Sequence, residues 1–184
     1  GISKTPIRGA LVRLEREGLV TMVPFRGAVV AHIYKEDIRE VFQLREVLEG
    51  LAVREAVSKM TEEDLRVAEE ALEAAEEAFR EGRYQDCSRL GHFLHDLIIR
   101  RADNRRLSTI ISNLDDHQQR FRLLSAQIPG RLAHSSREHR EILAALRYRD
   151  VASAEQLMKR HIRGVLDDLM TQENLNSLPL RTEH

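Results

Sequence analysis

The helical spacing of apolar residues after Tyr34 is the feature that most constrains the fold of this chain. From Tyr34 to about Gln172, apolar side chains recur every three or four residues, in stretches separated by turn and capping residues. Such spacing gives each helix one apolar face, which must be buried against the apolar faces of other helices. The sequence therefore predicts a mainly α fold, with an antiparallel helical bundle as its largest part.

Caps and breaks divide this region into about six helices. The predicted ranges are 35–58, 61–82, 84–101, 104–126, a helix that begins near Ser135, and 150–172. Thr61 and Asp150 are suitable N-cap residues, and Ser135 with Glu138 has the spacing of a capping box. The last residues, 174–184, are polar, and we expect them to form a flexible tail.

Residues 1–33 follow a different pattern. The stretch "SKTPIRGALVRLEREGL" predicts a helix, with Thr5 as its cap and Pro6 at its first position. Two short strands are predicted next, at 19–23 and 28–33, joined by the turn "PFRG". A basic helix followed by a two-stranded ribbon is typical of the C-terminal half of a winged helix-turn-helix. We expect the chain to be truncated, with the first helices of that domain missing.

Charge is distributed unevenly along the chain. The 184 residues carry a net charge of −1, but residues 1–32 contain five basic and two acidic residues, or +3, so the rest carries −4. A basic N-terminal segment joined to an acidic remainder suggests that the two parts of the chain have different functions. The single cysteine, Cys87, excludes an internal disulfide and fits a cytoplasmic location. No apolar run approaches the roughly 20 residues of a membrane span, so no membrane partner is expected.

Four stretches of the sequence resemble a known family. "GISKTPIRGALVRLEREGLV" followed by "RGAVVA" is similar to the end of the DNA-binding domain of GntR-type bacterial transcription regulators. "FLHDLIIRRADNRRL", "PGRLAHSSREHREILAAL" and "RDVASAEQLMKRHI" resemble, in this order, the FCD ligand-binding domain of their FadR-like subfamily. The resemblance implies a DNA-binding domain at 1–33, an effector-binding domain at 34–173, and a ligand-responsive regulator, commonly a repressor, that binds operator DNA as a homodimer.

The N-terminus of the first helix is the predicted DNA-reading end. Backbone N–H groups and the helix dipole favour phosphate there, and an arginine one turn further in can reach a base edge. The resemblance carries DNA contact onto Ser3, Lys4, Thr5 and Arg8. Arg26 and Gly27 at the wing tip would enter the minor groove or hold phosphate. From residue types alone, a cap and solvated surface charge explain the helix equally well.

The resemblance also implies a metal site. Sensor domains of this family hold a divalent metal with an aspartate four residues before a histidine, and with two histidines on later helices. The matching positions here are His95, His139 and His161, and the ion would be zinc or nickel. The aspartate position is Gly91, which offers no ligand. Water or an effector oxygen could replace the carboxylate, His92 could rotate in, or the site could bind metal weakly or serve as a plain polar pocket.

Effectors of this family are small carboxylates, which arginine side chains bind well. Arg45 matches a basic position of the family's first sensor helix, and Arg122 is the second candidate for the effector site; Arg120 and Arg131 are further possibilities. For each of them, a surface charge or a structural salt bridge is the alternative.

Two other functions compete with the regulator hypothesis. A metal-dependent helical-bundle enzyme would need a general base beside the metal. Glu138 is adjacent to His139 in sequence, but neighbouring residues on a helix point about 100° apart. A ligand-free helical adaptor would leave the basic helix and wing unexplained. The sequence therefore favours a transcription regulator and not an enzyme.

Overall fold

The computed structural model describes residues 4–16, 18–171, 174 and 180–181. Eight helices and four short strands lie in these ranges. The elements are α1 (Lys4–Arg16), β1 (Val20–Val23), β2 (Gly27–Val30), β3 (Ile33–Tyr34), α2 (Lys35–Ala56), α3 (Glu62–Arg80), α4 (Tyr84–Ala102), α5 (Arg105–Ser112), α6 (Asp115–Ser125), α7 (Arg131–Arg147), α8 (Val151–Leu169) and β4 (Leu180–Arg181). The mainly α fold with a small two-stranded wing, as predicted, is confirmed.

The N-terminal part consists of α1 and an antiparallel hairpin of β1 and β2. Val20 pairs with Val30 and Val23 pairs with Gly27. The connecting turn contains two residues with positive φ, Phe25 at 63° and Gly27 at 80°. The predicted second strand, 28–33, was too long, because β2 ends at Val30; beyond it, the Ala31 amide still donates to the Leu19 carbonyl at 3.0 Å. The chain then leaves the wing and enters β3.

Five long helices form the bundle that holds the main core. α2 packs against α8 and α4, α3 packs against α4 and α7, and α7 packs against α8. The largest fully buried side chains include Phe42, Leu94, Ile142 and Ile162, one from each of α2, α4, α7 and α8. This packing brings the middle of α4, α7 and α8 together beside the first half of α2.

The prediction of one helix over 104–126 was wrong. The chain forms α5 and α6 there, with a break at Asn113 and Leu114, so the bundle region contains seven helices instead of about six. Asparagine side chains compete with helical backbone hydrogen bonds and favour helix ends. The change of direction lets α5 pack on α2 and α4 while α6 reaches α8.

The predicted start of the next helix near Ser135 was also wrong. α7 begins one turn earlier, at Arg131, after Gly130 with a φ of 78°. Because this glycine already reverses the chain, no capping box at Ser135 is needed. Ser135 lies inside the helix, where its hydroxyl accepts a hydrogen bond from Arg131 Nε at 3.1 Å. Glu138 therefore has a different role, described below.

The C-terminal strand β4 pairs in parallel with β3, with Ile33 opposite Leu180 and Tyr34 opposite Arg181. The other residues of the predicted tail, apart from Asn174, lie outside the described ranges. Within the described part of the chain, none of the helices has both the length and the apolar character that a membrane crossing requires.

Candidate metal centre

Three buried histidines from three helices meet at one point. They are His95 on α4, His139 on α7 and His161 on α8, and one ring nitrogen from each lies within 4.8 Å of the other two. The Nε2 atoms of His95 and His139 are 3.0 Å apart. Nitrogen ligands at about 2.0–2.1 Å from a tetrahedral zinc ion lie roughly 3.3 Å from one another. The spacing of these nitrogens therefore fits a shared divalent ion.

A buried arginine–glutamate pair lies behind His95. Glu49, on α2, accepts a hydrogen bond from Arg45 Nε at 2.8 Å, one turn earlier on the same helix. Its other oxygen lies 2.5 Å from His95 Nδ1. The Arg45 guanidinium also lies over the Phe42 ring, 4.9 Å from its centroid. The sequence analysis missed Glu49, although the i,i+4 spacing from Arg45 is a visible signal for an ion pair.

A second buried arginine–glutamate pair lies behind His161. Glu138 Oε2 is 2.8 Å from His161 Nδ1, and the same oxygen accepts a hydrogen bond from Arg131 Nη2. Arg131 also donates to Asp168 at 2.8 Å and to Ser135 at 3.1 Å. From the sequence, Glu138 was expected to point away from its neighbour His139. Its contact is with the histidine of the next helix, which the sequence alone did not reveal.

The electrostatics favour neutral imidazoles and charged carboxylates. The pKa values of His139 and His161 are lowered well below the usual range, mainly by burial and then by the neighbouring imidazoles and Arg131. Burial alone would raise the pKa of Glu49, but the charge of Arg45 and the hydrogen bond from His95 bring it below its usual range. A neutral imidazole is the form that binds a metal ion. His139 and His161 are thus neutral at neutral pH.

Gly91 lies against the ring of His139. A Cβ atom added to Gly91 would lie 3.4 Å from both Nδ1 and Cε1 of that ring, an ordinary contact distance. His92 stacks on His95 with ring centroids 5.1 Å apart, and its Nε2 lies 3.5 Å from an oxygen of Asp96. Among the described residues, the group that could hold an ion contains the three histidines but not His92. In this arrangement, His92 lies beside the half-exposed carboxylate of Asp96.

A cavity of about 650 Å³ of empty space, part of it open to solvent, adjoins the three histidines. Polar residues that line it, besides the histidines, are Arg45, Ser88, Arg122, Ser125, Arg131, Ser135 and Ser136. Every nitrogen of the Arg131 guanidinium already binds a side chain of the protein. Arg120 lies elsewhere: its Nη2 donates to the Ala31 carbonyl, 2.6 Å away. Of the four arginines considered from sequence, Arg45 and Arg122 therefore remain the effector candidates.

The predicted DNA-binding residues lie at two exposed places. Exposed residues of this set are Thr5 and Arg8 in the first turns of α1, and Arg26 and Gly27 in the turn between β1 and β2. Ser3 lies outside the described residues, and only the backbone of Lys4 is described.

Comparisons with known proteins agree with this architecture. Residues 40–164 match the FCD domain family. The transcriptional repressor RspR of Escherichia coli is 27% identical over 175 residues, which cover 94% of this chain and 77% of the relative. The solved structure of McbR from Escherichia coli superposes with a TM-score of 0.80 at 24% identity, covering 92% of this chain and 86% of the other. A structure described as the metal-free FCD domain of TM0439 has a TM-score of 0.62 at 23% identity, over 79% of this chain and 99% of that one.

Proposed function

This chain belongs to the FCD-domain family of GntR-type transcription regulators, and from this premise we propose that it senses a small carboxylate metabolite through a bound divalent metal. Its relatives are named transcriptional regulators, so the chain is a DNA-binding regulator of this type and not an enzyme. The finer proposal has two parts, a metal at the three histidines and an effector in the cavity beside them.

The convergence of His95, His139 and His161 is the observation that carries the proposal. Three neutral imidazoles from the protein leave further coordination positions of zinc or nickel for oxygen ligands. Gly91 supplies none, so we propose that an oxygen of the effector or of water completes the coordination, in preference to His92. Arg45 and Arg122 line the same cavity and would bind the effector carboxylate.

Helix α6 connects the cavity with the DNA-binding part through residues at both places. Arg122 and Ser125 line the cavity, whereas Arg120 binds the Ala31 carbonyl where the chain leaves the wing. An effector that binds one position of α6 more tightly would shift the population toward that position. In a homodimer, this shift would change the spacing of the two DNA-binding parts on a palindromic operator. We assign residues 1–33 to DNA binding, 34–173 to sensing and 174–184 to a tail.

DNA contact is proposed for both exposed places of the N-terminal part. The residues are Ser3, Lys4, Thr5, Arg8, Arg26 and Gly27. The exposure of Arg8 and Arg26 supports this proposal, because neither side chain is covered by the bundle. A cytoplasmic repressor is the form we propose for the whole protein, in line with the name of its relative RspR.

The test is calorimetric titration of untagged, chelator-treated protein with zinc chloride and nickel chloride. We expect one ion per chain, with binding abolished in His95→Ala and His139→Ala. His32→Ala is the matched control, because His32 is an exposed histidine between β2 and β3, outside the three-histidine group. Uptake that is unchanged in both variants would remove the metal from the proposal. Thermal-shift screening of the zinc-loaded protein against di- and tricarboxylates then tests the effector.

A further inference from the structure

Among the residues that the structure describes, a buried glutamate lies behind two of the three histidines, and none lies behind the third. We infer that Glu49 and Glu138 are positioning residues: they fix His95 and His161 in the tautomer with the proton on Nδ1, so that both Nε2 lone pairs point to the shared centre. The inference deepens the proposed metal site. It also holds for the protein without metal, so the two can be tested separately.

The hydrogen-bond chemistry leaves one arrangement for His95. An ionised carboxylate only accepts hydrogen bonds, so the 2.5 Å contact between Glu49 Oε2 and His95 Nδ1 requires the proton on Nδ1. The Nε2 atom of the neutral ring then carries the lone pair. By the same reasoning, the 2.8 Å contact of Glu138 Oε2 places the proton of His161 on Nδ1.

Buried arginines hold both glutamates in place. Arg45 donates to Glu49 from one turn earlier on α2, and both side chains are almost fully buried. Arg131 donates to Glu138 and is itself held by Asp168 across the α7–α8 interface. A guanidinium cannot lose its proton in a protein, so each glutamate keeps a charged partner. Each carboxylate is therefore held in its orientation by a charged donor.

His139 is the ligand with a different environment. No ion pair joins His139 to any carboxylate in the described ranges, and its ring lies beside Gly91. Since His95 Nε2 is an acceptor, His139 Nε2 must be the donor in the 3.0 Å contact between them. A bound ion would need that lone pair of His139, so this histidine alone must change its tautomer when metal binds. Positioning by outer carboxylates is thus complete for two ligands and absent for the third.

Nitrogen-15 NMR of the imidazole rings, in chelator-treated protein, tests the tautomers directly. We expect Nδ1–H for His95 and His161, and Nε2–H for His139. Glu49→Gln should make His95 a mixture of tautomers and leave His161 unchanged, because a glutamine amide can accept or donate. Glu138→Gln should do the reverse. Nε2–H at His95 or His161 in the unsubstituted protein would overturn the inference.

Matched controls lie one turn away on the same helices. Glu46 on α2 pairs with Arg163 and Glu141 on α7 pairs with Arg160, both at the surface. Glu46→Gln and Glu141→Gln should leave all three tautomers unchanged. If Glu49→Gln does not fold, Arg45→Met/Glu49→Gln removes both buried charges and gives the same readout at His95. A tautomer of His95 that is unchanged in the double variant would count against the inference.

Zinc affinity gives the second readout. Each Glu→Gln variant at position 49 or 138 should bind zinc roughly 10–100-fold more weakly, whereas the two controls should match the unsubstituted protein. Unchanged affinity in both variants, beside clear zinc binding by the unsubstituted protein, would overturn the positioning role. Absence of zinc binding by the unsubstituted protein would instead refute the proposed metal site. The tautomers would still be decided independently, by the NMR measurement on the chelator-treated protein.

Discussion

Helix α7 carries charged residues on two faces, and the two faces differ in what surrounds them. The inner face presents Arg131 and Glu138 to the histidine centre, where both side chains are buried. The outer face presents Arg140 and Arg147 to glutamates of α3. The residue types are the same on both faces. The comparison predicts that burial, and not the presence of an ion pair as such, decides how much the pair contributes to stability.

On the outer face, each charge remains in contact with water. Arg140 binds both carboxylate oxygens of Glu76, at 2.9 and 3.0 Å, with both side chains more than 30% exposed. Arg147 binds Glu69 in a similar position. Water can replace either partner at small cost, so ion pairs of this kind contribute little to stability. On the inner face no such replacement exists, and the loss of one partner leaves a buried charge unpaired.

The largest predicted effect is that of Arg131→Met. It leaves Glu138 buried without its cation and should lower the free energy of unfolding by about 3–5 kcal/mol. Urea denaturation of chelator-treated protein measures this value. Arg137→Met, at an exposed position of the same helix, is the control and should change little. Equal losses in the two variants would contradict the distinction between the faces.

Zinc should stabilise the inner face selectively. At a free concentration 100 times the dissociation constant, bound zinc should raise the free energy of unfolding by about 2.7 kcal/mol. The gain should vanish in His161→Ala and persist in Arg140→Gln, since only the first variant removes a proposed ligand. Denaturation curves with and without zinc give both numbers. A zinc effect that survives in His161→Ala would place the ion elsewhere.

Acid should destabilise the inner face through His139 and His161. Their folded-state pKa values are lowered, chiefly by burial, whereas the unfolded chain binds protons around the ordinary value of about 6.5. Stability is therefore fully present above about pH 6.5 and declines below it, by up to about 1.4 kcal/mol per pH unit for each histidine. Unfolding measured between about pH 7 and 5.5 checks the slope. His139→Gln should reduce it, and an unchanged slope in this variant would contradict the prediction.

The smallest predicted effect belongs to the outer face. Arg140→Gln should lower the free energy of unfolding by no more than about 1 kcal/mol and should leave zinc affinity unchanged. Urea denaturation and zinc titration of the same sample test both expectations. A loss comparable with that of Arg131→Met would show that the outer ion pairs matter as much as the buried ones.

Helical spacing predicted the fold well. The apolar face of a helix is visible in the local sequence, and the same face packs against the neighbouring helices. The ends of α5, α6 and α7 were predicted less well, because they depend on single residues, Asn113 and Gly130, whose local signal is weaker than helical periodicity. His95, His139 and His161 were named from a family pattern of spacing, which a single sequence can display. Their carboxylate partners could not be assigned, because the contact of Glu138 is made across the α7–α8 interface.

The pairing of β3 with β4 has a further consequence for how the protein can be joined to other segments. Ile33 and Tyr34 begin the sensing part, and Leu180 and Arg181 follow its last helix, so the chain enters and leaves this part side by side. A domain whose N- and C-termini lie close together can be removed from a protein, or inserted into a loop of another, without distorting the rest of that protein. For the same reason, a fusion partner attached after His184 would begin only a few residues from β4, the strand that pairs with β3 at the start of the sensing part.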